Sequence, residues 1–109
     1  GRLQRSAVVT ADGLRVEGTP RGEIPEGAEA VAVFSPAAVA VHLTRPGGSP
    51  RNVLPRRIEQ IEPLGGRMRL RAAGLSADVT AAAVADLDLA PDREVLFVVK
   101  AGEVTIHPA

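Results

Sequence analysis

The sequence predicts an all-β fold of many short strands with one short helix. The first observation is a hydrophobic fraction of 45% that comes from Val, Ala, Leu and Ile, since Phe34 and Phe97 are the only aromatic residues. The second is the presence of 11 glycines and 9 prolines, which favour tight turns. Between these turns, apolar and polar residues alternate over short runs, the period of a half-buried strand.

The first part of the chain contains four strand-like runs and no helical pattern. The dipeptide Asp12-Gly13 predicts a hairpin turn between the first two runs, because Gly adopts the positive φ that such a turn requires. Residues 19–27 hold two prolines and two glycines and predict a surface loop. Residues 44–48 predict a flexible connection between two lobes. The four runs are residues 6–10, 14–17, 29–34 and 39–43.

The second part predicts three strands, a short helix and two further strands. Pro55 is expected at an edge or bulge of the first strand, because Pro donates no ladder hydrogen bond. Thr80 is expected to cap the helix, its hydroxyl accepting from a free amide of the first turn. The predicted elements are strands 53–62, 67–71 and 75–79, helix 81–87, and strands 94–99 and 103–107.

This order is that of a five-stranded Greek-key barrel of the oligonucleotide/oligosaccharide-binding (OB) type. We therefore predict an all-β, OB-fold-like protein with two lobes that share strands. Residues 1–46 are expected to form a partial N-terminal lobe, and residues 47–109 an OB-fold lobe.

Composition excludes several classes of function. Lys and Arg number 13, as do Asp and Glu, so no net charge steers anions or nucleic acid to the surface. The absence of cysteine excludes disulfides, thiolate metal sites and cysteine nucleophiles. No apolar run approaches the roughly 20 residues of a membrane helix. The chain begins at Gly1 rather than Met, which predicts a fragment of a longer protein.

No arrangement of side chains predicts catalysis or a metal site. His42 and His107 lie far apart in the sequence without clustered acidic partners. Arg67, Arg69 and Arg71 form a basic stripe, but the aromatic platforms of single-strand-binding barrels are missing. A solvated strand face is therefore favoured over nucleic-acid binding.

Hydrogen-bond donors are concentrated at the start of the second part. Ser49, Arg51 and Asn52 offer a hydroxyl, a guanidinium and a carboxamide at the mouth of a predicted strand, and this donor set suits a small oxyanion. Lys100 is the only lysine, and the backbone amides around Ala101 add further donors. Ordinary loop chemistry explains Ser49 and Asn52 equally well, and a surface lysine explains Lys100.

Four segments resemble a molbindin repeat, also called a TOBE domain, in order and spacing. They are Ser-Pro-Arg-Asn-Val-Leu-Pro at 49–55, Ala-Asp-Val-Thr at 77–80, Leu-Asp-Leu-Ala-Pro at 87–91 and Val-Val-Lys-Ala-Gly-Glu-Val at 98–104. This domain occurs alone in small molybdate-binding proteins and at the C-terminus of ATPase subunits of molybdate-type ABC importers. Residues 35–41 are similar to the segment that precedes the repeat in those ATPases.

The resemblance implies a non-catalytic regulatory domain that senses molybdate or tungstate at the interface of a homodimer. It implies the ligand set Ser49, Arg51, Asn52, Thr80, Lys100 and Ala101, with no metal ion or other cofactor and no nucleic-acid partner. ATP would be bound only by a nucleotide-binding domain outside this chain, since no G-x-x-x-x-G-K-[ST] loop is present. The implied setting is cytoplasmic, held at the inner membrane through a permease.

One position departs from the family pattern. The family often carries a Ser shortly after the equivalent of Thr80, whereas Ala81, Ala82 and Ala83 follow it here. This loss of a donor favours the alternative of a purely structural dimerisation domain, without a small ligand, in a sulfate- or sugar-type ABC importer ATPase. A nucleic-acid-binding barrel is a third hypothesis, which neutral charge and scarce aromatics disfavour.

Overall fold

The computed structural model describes residues 1–11, 13–48 and 51–109, which contain twelve strands and one α-helix. The predicted all-β fold with one short helix is confirmed. Helix α1 spans Ala81–Asp86. Two short 3-10 turns lie at Pro36–Ala38 and Ala101–Glu103. The strands are β1 (Arg2–Gln4), β2 (Ala7–Val9), β3 (Arg15–Glu17), β4 (Thr19–Pro20), β5 (Ala30–Val33), β6 (Ala40–His42), β7 (Arg51–Arg57), β8 (Gln60–Leu64), β9 (Arg67–Ala72), β10 (Leu75–Val79), β11 (Glu94–Lys100) and β12 (Thr105–Pro108).

The chain forms two compact units that are interleaved in the sequence. Unit 1 comprises the described residues of Gly1–Ser35, Ser49–Asn52 and Val99–Ala109. Unit 2 comprises Pro36–Gly48 and Val53–Val98. Strands β7 and β11 therefore contribute residues to both units, whereas the sequence predicts one boundary between residues 46 and 47.

Unit 1 contains two small sheets. Strands β1, β2 and β3 form an antiparallel meander. In the other sheet, β12 lies between β4, which it pairs in parallel, and β5, which it pairs antiparallel. Leu3, Val8, Ala30 and Ile106 form the buried cluster of this unit, because alternate residues of each strand point inward.

Unit 2 contains an antiparallel meander of β8, β9 and β10. A second sheet places β11 between β6 and β7. Leu70 of β9 and Phe97 of β11 are among its most buried side chains. No helix in the described part of the chain is long and apolar enough to cross a bilayer.

The single strand predicted over residues 53–62 is wrong, because the chain changes partners at Ile58. The Ile58 amide donates to the Arg93 carbonyl at 3.0 Å, and the Asp92 amide donates to the Ile58 carbonyl at 2.7 Å. The next amide, of Glu59, donates instead to the Arg71 carbonyl at 2.8 Å. Four strands of the second part, β7 to β10, therefore precede the helix, whereas three were predicted. The sequence does not indicate this break, because a change of pairing partner does not alter the alternation of apolar residues.

Two short strands were not predicted. Strand β4 lies at the start of the expected loop 19–27 and pairs with β12, which is more than 80 residues away along the chain. Strand β1 joins β2 through Arg5 and Ser6, whose φ angles are 49° and 61°. The pair Arg-Ser gives no hairpin signal, because a two-residue turn with two positive φ angles normally carries Asn-Gly or Asp-Gly. The predicted turn residue Asp12 lies outside the described residues, and the following Gly13 has φ of 87°.

Candidate functional site

The two cations of the predicted oxyanion site, Arg51 and Lys100, lie at the same end of the strand pair β7 and β11. Strands β7 and β11 are hydrogen-bonded neighbours. They run antiparallel, because the contact between Ile58 and Arg93 joins the end of β7 to the start of β11. The first residues of β7 thus lie beside the last residues of β11. Arg51 and Lys100, which come from distant parts of the sequence, therefore both lie at one end of this pair, in unit 1.

Neither of these cations is neutralised within the described residues. Arg51 is half-buried, and its Nε atom is buried without a hydrogen-bond partner in that part of the chain. Lys100 is exposed and immediately precedes the 3-10 turn Ala101–Glu103, which it does not cap with its side chain. The ion pairs that the structure describes all involve other residues. This end of the strand pair therefore carries two cations that make none of the described ion pairs.

The Asn52 side chain makes two hydrogen bonds to the backbone of Glu17. Its Oδ1 accepts from the Glu17 amide at 2.7 Å, and its Nδ2 donates to the Glu17 carbonyl at 2.9 Å. Asn52 is only 3% exposed. The carboxamide thus ties β7 to β3 as a further strand would, and this use of both its oxygen and its nitrogen is structural. The sequence gives no signal for it, because the partner lies 35 residues away.

Thr80 has the structural role that the sequence predicts. Its Oγ1 accepts from the Ala83 amide at 3.0 Å and so caps α1. Thr80 belongs to unit 2, whereas Arg51, Asn52, Lys100 and Ala101 belong to unit 1. Ser49 lies outside the described residues. The assignment of these six residues to an oxyanion site stays a prediction.

A polar groove of about 300 Å³ lies beside the 3-10 turn of unit 1. Ala101 and Gly102 line it together with residues that the sequence reasoning missed: Arg5, Ser6, Glu17, Gly18 and Thr19. A Cβ atom at Gly18 would stand 2.7 Å from Val104 Cγ1, so only Gly allows this close approach. The Thr19 amide donates to the Val104 carbonyl at 2.9 Å and secures the same contact.

The arginine stripe of β9 is paired with carboxylates. Arg69 donates through Nε and Nη2 to the two oxygens of Asp78, at 2.7 and 2.9 Å. These hydrogen bonds lower the pKa of Asp78 and raise the pKa of Arg69. Arg71 Nε lies 2.7 Å from Glu62 Oε1. Two of the three stripe arginines are thus neutralised on the sheet, which favours a solvated face over a nucleic-acid interface.

The fold and the sequence define a TOBE domain. The TOBE domain family matches residues 48–106, more than half of the chain, so the chain belongs to this family. TOBE domains are non-catalytic, and the prediction that this segment is not an enzyme is thereby confirmed. Among the described residues, no group of His, Cys, Asp and Glu side chains is arranged to hold a metal ion.

Two relatives of this chain are named as molybdenum import proteins. The chain is 41% identical, over 107 residues, to the "Molybdenum import ATP-binding protein ModC" of Mycobacterium tuberculosis, in strains CDC 1551 / Oshkosh and ATCC 25618 / H37Rv alike. That alignment covers 92% of this chain and 29% of the relatives' length. The resemblance to a molybdate-type ATPase subunit is thus confirmed.

A solved structure supports the fold. The cytoplasmic molybdate-binding protein ModG, crystallised with molybdate bound, superposes with a TM-score of 0.71 at 28% identity. The superposition covers 79% of this chain and 66% of that one. The predicted OB-like architecture is therefore confirmed.

Proposed function

We propose that this domain binds a tetrahedral oxyanion, molybdate or tungstate, and thereby regulates the ATPase subunit of an ABC importer. Arg51 and Lys100 supply the charge that a dianion requires, and neither is neutralised within the described residues. Their position at one end of the β7–β11 pair is the observation that carries the proposal. Charge-assisted hydrogen bonds are about twice as strong as neutral ones, so two cations dominate such a site.

The remaining predicted ligands have supporting roles. The Ser49 hydroxyl and the Ala101 amide orient the oxyanion, since each can donate one hydrogen bond. Thr80 lies in unit 2, where its hydroxyl caps α1. Asn52 acts mainly through its two bonds to the Glu17 backbone, and one Nδ2 hydrogen is left over for a ligand. Molybdate and sulfate carry the same charge, so the site selects between them by size.

The domain acts within a larger assembly. The named relatives are ATP-binding import proteins, and the chain spans 29% of their length. We place a nucleotide-binding domain in the same polypeptide and a membrane permease beside it. This sets the domain in the cytoplasm, at the inner membrane. Two copies of the domain form a homodimer and share the oxyanion between them.

Titration of the 109-residue chain with sodium molybdate, tungstate and sulfate by calorimetry tests the proposal. Both metal oxyanions should bind, and sulfate should bind more weakly. Arg51→Gln and Lys100→Gln should each weaken molybdate binding by about tenfold or more, as expected for a lost charge-assisted hydrogen bond. Absence of heat with either metal oxyanion at millimolar concentration would end the sensing proposal.

A structural dimerisation domain is the second candidate. Two observations favour it: the structural use of the Asn52 carboxamide, and the alanines that follow Thr80 where a hydroxyl is expected. Under this hypothesis, light scattering gives a dimer mass that neither molybdate nor Arg51→Ala changes. A rise of the melting temperature with molybdate contradicts it, because only a ligand of the folded state stabilises in that way.

A further inference from the structure

The groove of unit 1 brings the N-terminal hairpin next to part of the predicted site. Ala101 and Gly102 follow directly after Lys100 and line one part of the groove. Arg5 and Ser6, which form the turn between β1 and β2, line another part. No sequence motif connects these two segments, and neither Arg5 nor Ser6 belongs to the predicted ligand set.

The turn that carries Arg5 and Ser6 is held in an unfavourable conformation. Both residues have left-handed φ angles, 49° and 61°, which side chains with a Cβ atom adopt rarely. Three hydrogen bonds fix the turn: from the Arg5 amide to Glu26 Oε1 at 3.0 Å, from Arg15 Nη2 to the Arg5 carbonyl at 3.3 Å, and from the Gly18 amide to the Ser6 carbonyl at 3.2 Å. A two-residue hairpin loop favours positive φ at both central positions, so this conformation belongs to the hairpin, and the hydrogen bonds hold Arg5 and Ser6 in a fixed position beside the groove.

The lining of the groove holds one cation, Arg5, and one carboxylate, Glu17. The ion pairs that the structure describes leave the Arg5 guanidinium out, so within the described residues this cation is not neutralised. Two carboxylates oppose this cation. Glu17 lines the groove, and its Oε1 lies 3.8 Å from Arg15 Nε, which partly compensates it. The Glu26 Oε1 atom accepts from the Arg5 amide and so lies beside the same turn. The hydroxyls of Ser6 and Thr19 add donors without charge.

We infer that Arg5 and Ser6 bind the oxyanion from the N-terminal side of this groove, opposite the backbone of Ala101 and Gly102. The ligand class is a tetrahedral dianion, which a guanidinium binds through two parallel N–H bonds. This inference rests on the proposed function and extends it, because it assigns ligand residues to the part of the chain that lies outside the matched TOBE segment. Glu17 then limits the affinity, since its carboxylate repels the ligand.

Three matched variants of the 109-residue chain test this inference by calorimetric titration with sodium molybdate. Arg5→Gln should weaken binding by about tenfold, the effect of losing a charge-assisted contact. Arg21→Gln makes the same chemical change at an exposed position of the same unit that does not line the groove, and should alter affinity by no more than about twofold. Glu17→Gln should tighten binding by about threefold, because a repulsive charge is removed.

The possible results separate this inference from the proposed function. If the wild type binds molybdate and Arg5→Gln binds like Arg21→Gln, the inference is wrong while the proposed function stands. If the wild type does not bind molybdate, both are wrong. Circular dichroism of each variant at the titration temperature establishes that it is folded. Arg5→Lys keeps the charge and should recover at least part of the lost affinity, whereas equal binding by Arg5→Lys and Arg5→Gln contradicts a charge contact.

Discussion

Replacing Asn52 by Ala is the sharpest test of how this fold holds its candidate site. The side chain is 3% exposed, and both ends of its carboxamide bond to the Glu17 backbone, at 2.7 and 2.9 Å. Ala removes both hydrogen bonds and leaves the end of β3 without this connection to β7. Truncation also opens a space beside β3 from which water can reach the released amide and carbonyl of Glu17.

The expected loss follows from these two bonds. Each contributes about 1 kcal/mol net to the free energy of unfolding, and solvation of the released groups keeps the total at about 2 kcal/mol. For a chain of roughly 100 residues, 1 kcal/mol shifts the melting temperature by about 4–8 °C. Asn52→Ala should therefore melt about 10 °C lower than the wild type.

Thermal unfolding followed by circular dichroism measures this shift. Gln60→Ala is the matched control, because Gln60 is an exposed carboxamide with one long contact, 3.4 Å, to Glu62. It should change the melting temperature by less than about 2 °C. Below its melting temperature, Asn52→Ala should bind molybdate with an affinity within about threefold of the wild type, which corresponds to a change of less than about 1 kcal/mol in the free energy of binding. An unchanged melting temperature together with a large loss of molybdate affinity would show that Asn52 is a ligand rather than a structural connection.

Three other contacts are tested by substitution, two of them with a control variant. Gly18→Ala should lower the free energy of unfolding in urea by about 1–3 kcal/mol, because the added methyl group would lie 2.7 Å from Val104 Cγ1. Gly66→Ala is the control and should be close to neutral, because the space around Gly66 is open. Asp78→Asn removes the ion pair with Arg69. Because folding lowers the pKa of Asp78, this pair stabilises the fold at pH values above the ordinary carboxyl pKa of about 3.9. Its contribution is lost as the pH falls through the lower pKa that Asp78 has in the folded state. The variant should melt lower at pH 7 and depend less on pH in acid, and parallel acid profiles would contradict this. Thr80→Ala should cost about 1 kcal/mol through loss of the helix cap while Thr80→Ser keeps it, and equal melting of the two variants would rule out capping.

Local patterns in the sequence predict local structure well. The alternation of Arg with apolar residues places β9 within one residue of its observed bounds, and the cap at Thr80 is where the sequence puts it. Both features depend only on neighbours along the chain. The split at Ile58 was not predictable in this way, because it depends on which strand accepts the next hydrogen bond.

The candidate site shows the same limit. Arg51 and Lys100 were identified from residue type and resemblance, and the antiparallel order of β7 and β11 brings them to one end. Arg5 and Ser6 were missed because a turn with two positive φ angles normally carries Asn-Gly or Asp-Gly rather than Arg-Ser. The structural use of Asn52 was missed because a carboxamide serves a ligand and a strand edge equally well, and only the position of Glu17 decides between them.

The position of β12 between β4 and β5 determines how far this chain can be shortened for expression. The matched family segment begins at residue 48, so residues 47–109 are a natural choice for a truncated fragment. In the intact chain, both edges of β12 are occupied, by β4 and β5, and both of these partners come from the first 35 residues. The truncated fragment would leave β12 with two open edges and its buried residue Ile106 uncovered, and open strand edges promote aggregation. Studies of ligand binding therefore need the whole 109-residue chain.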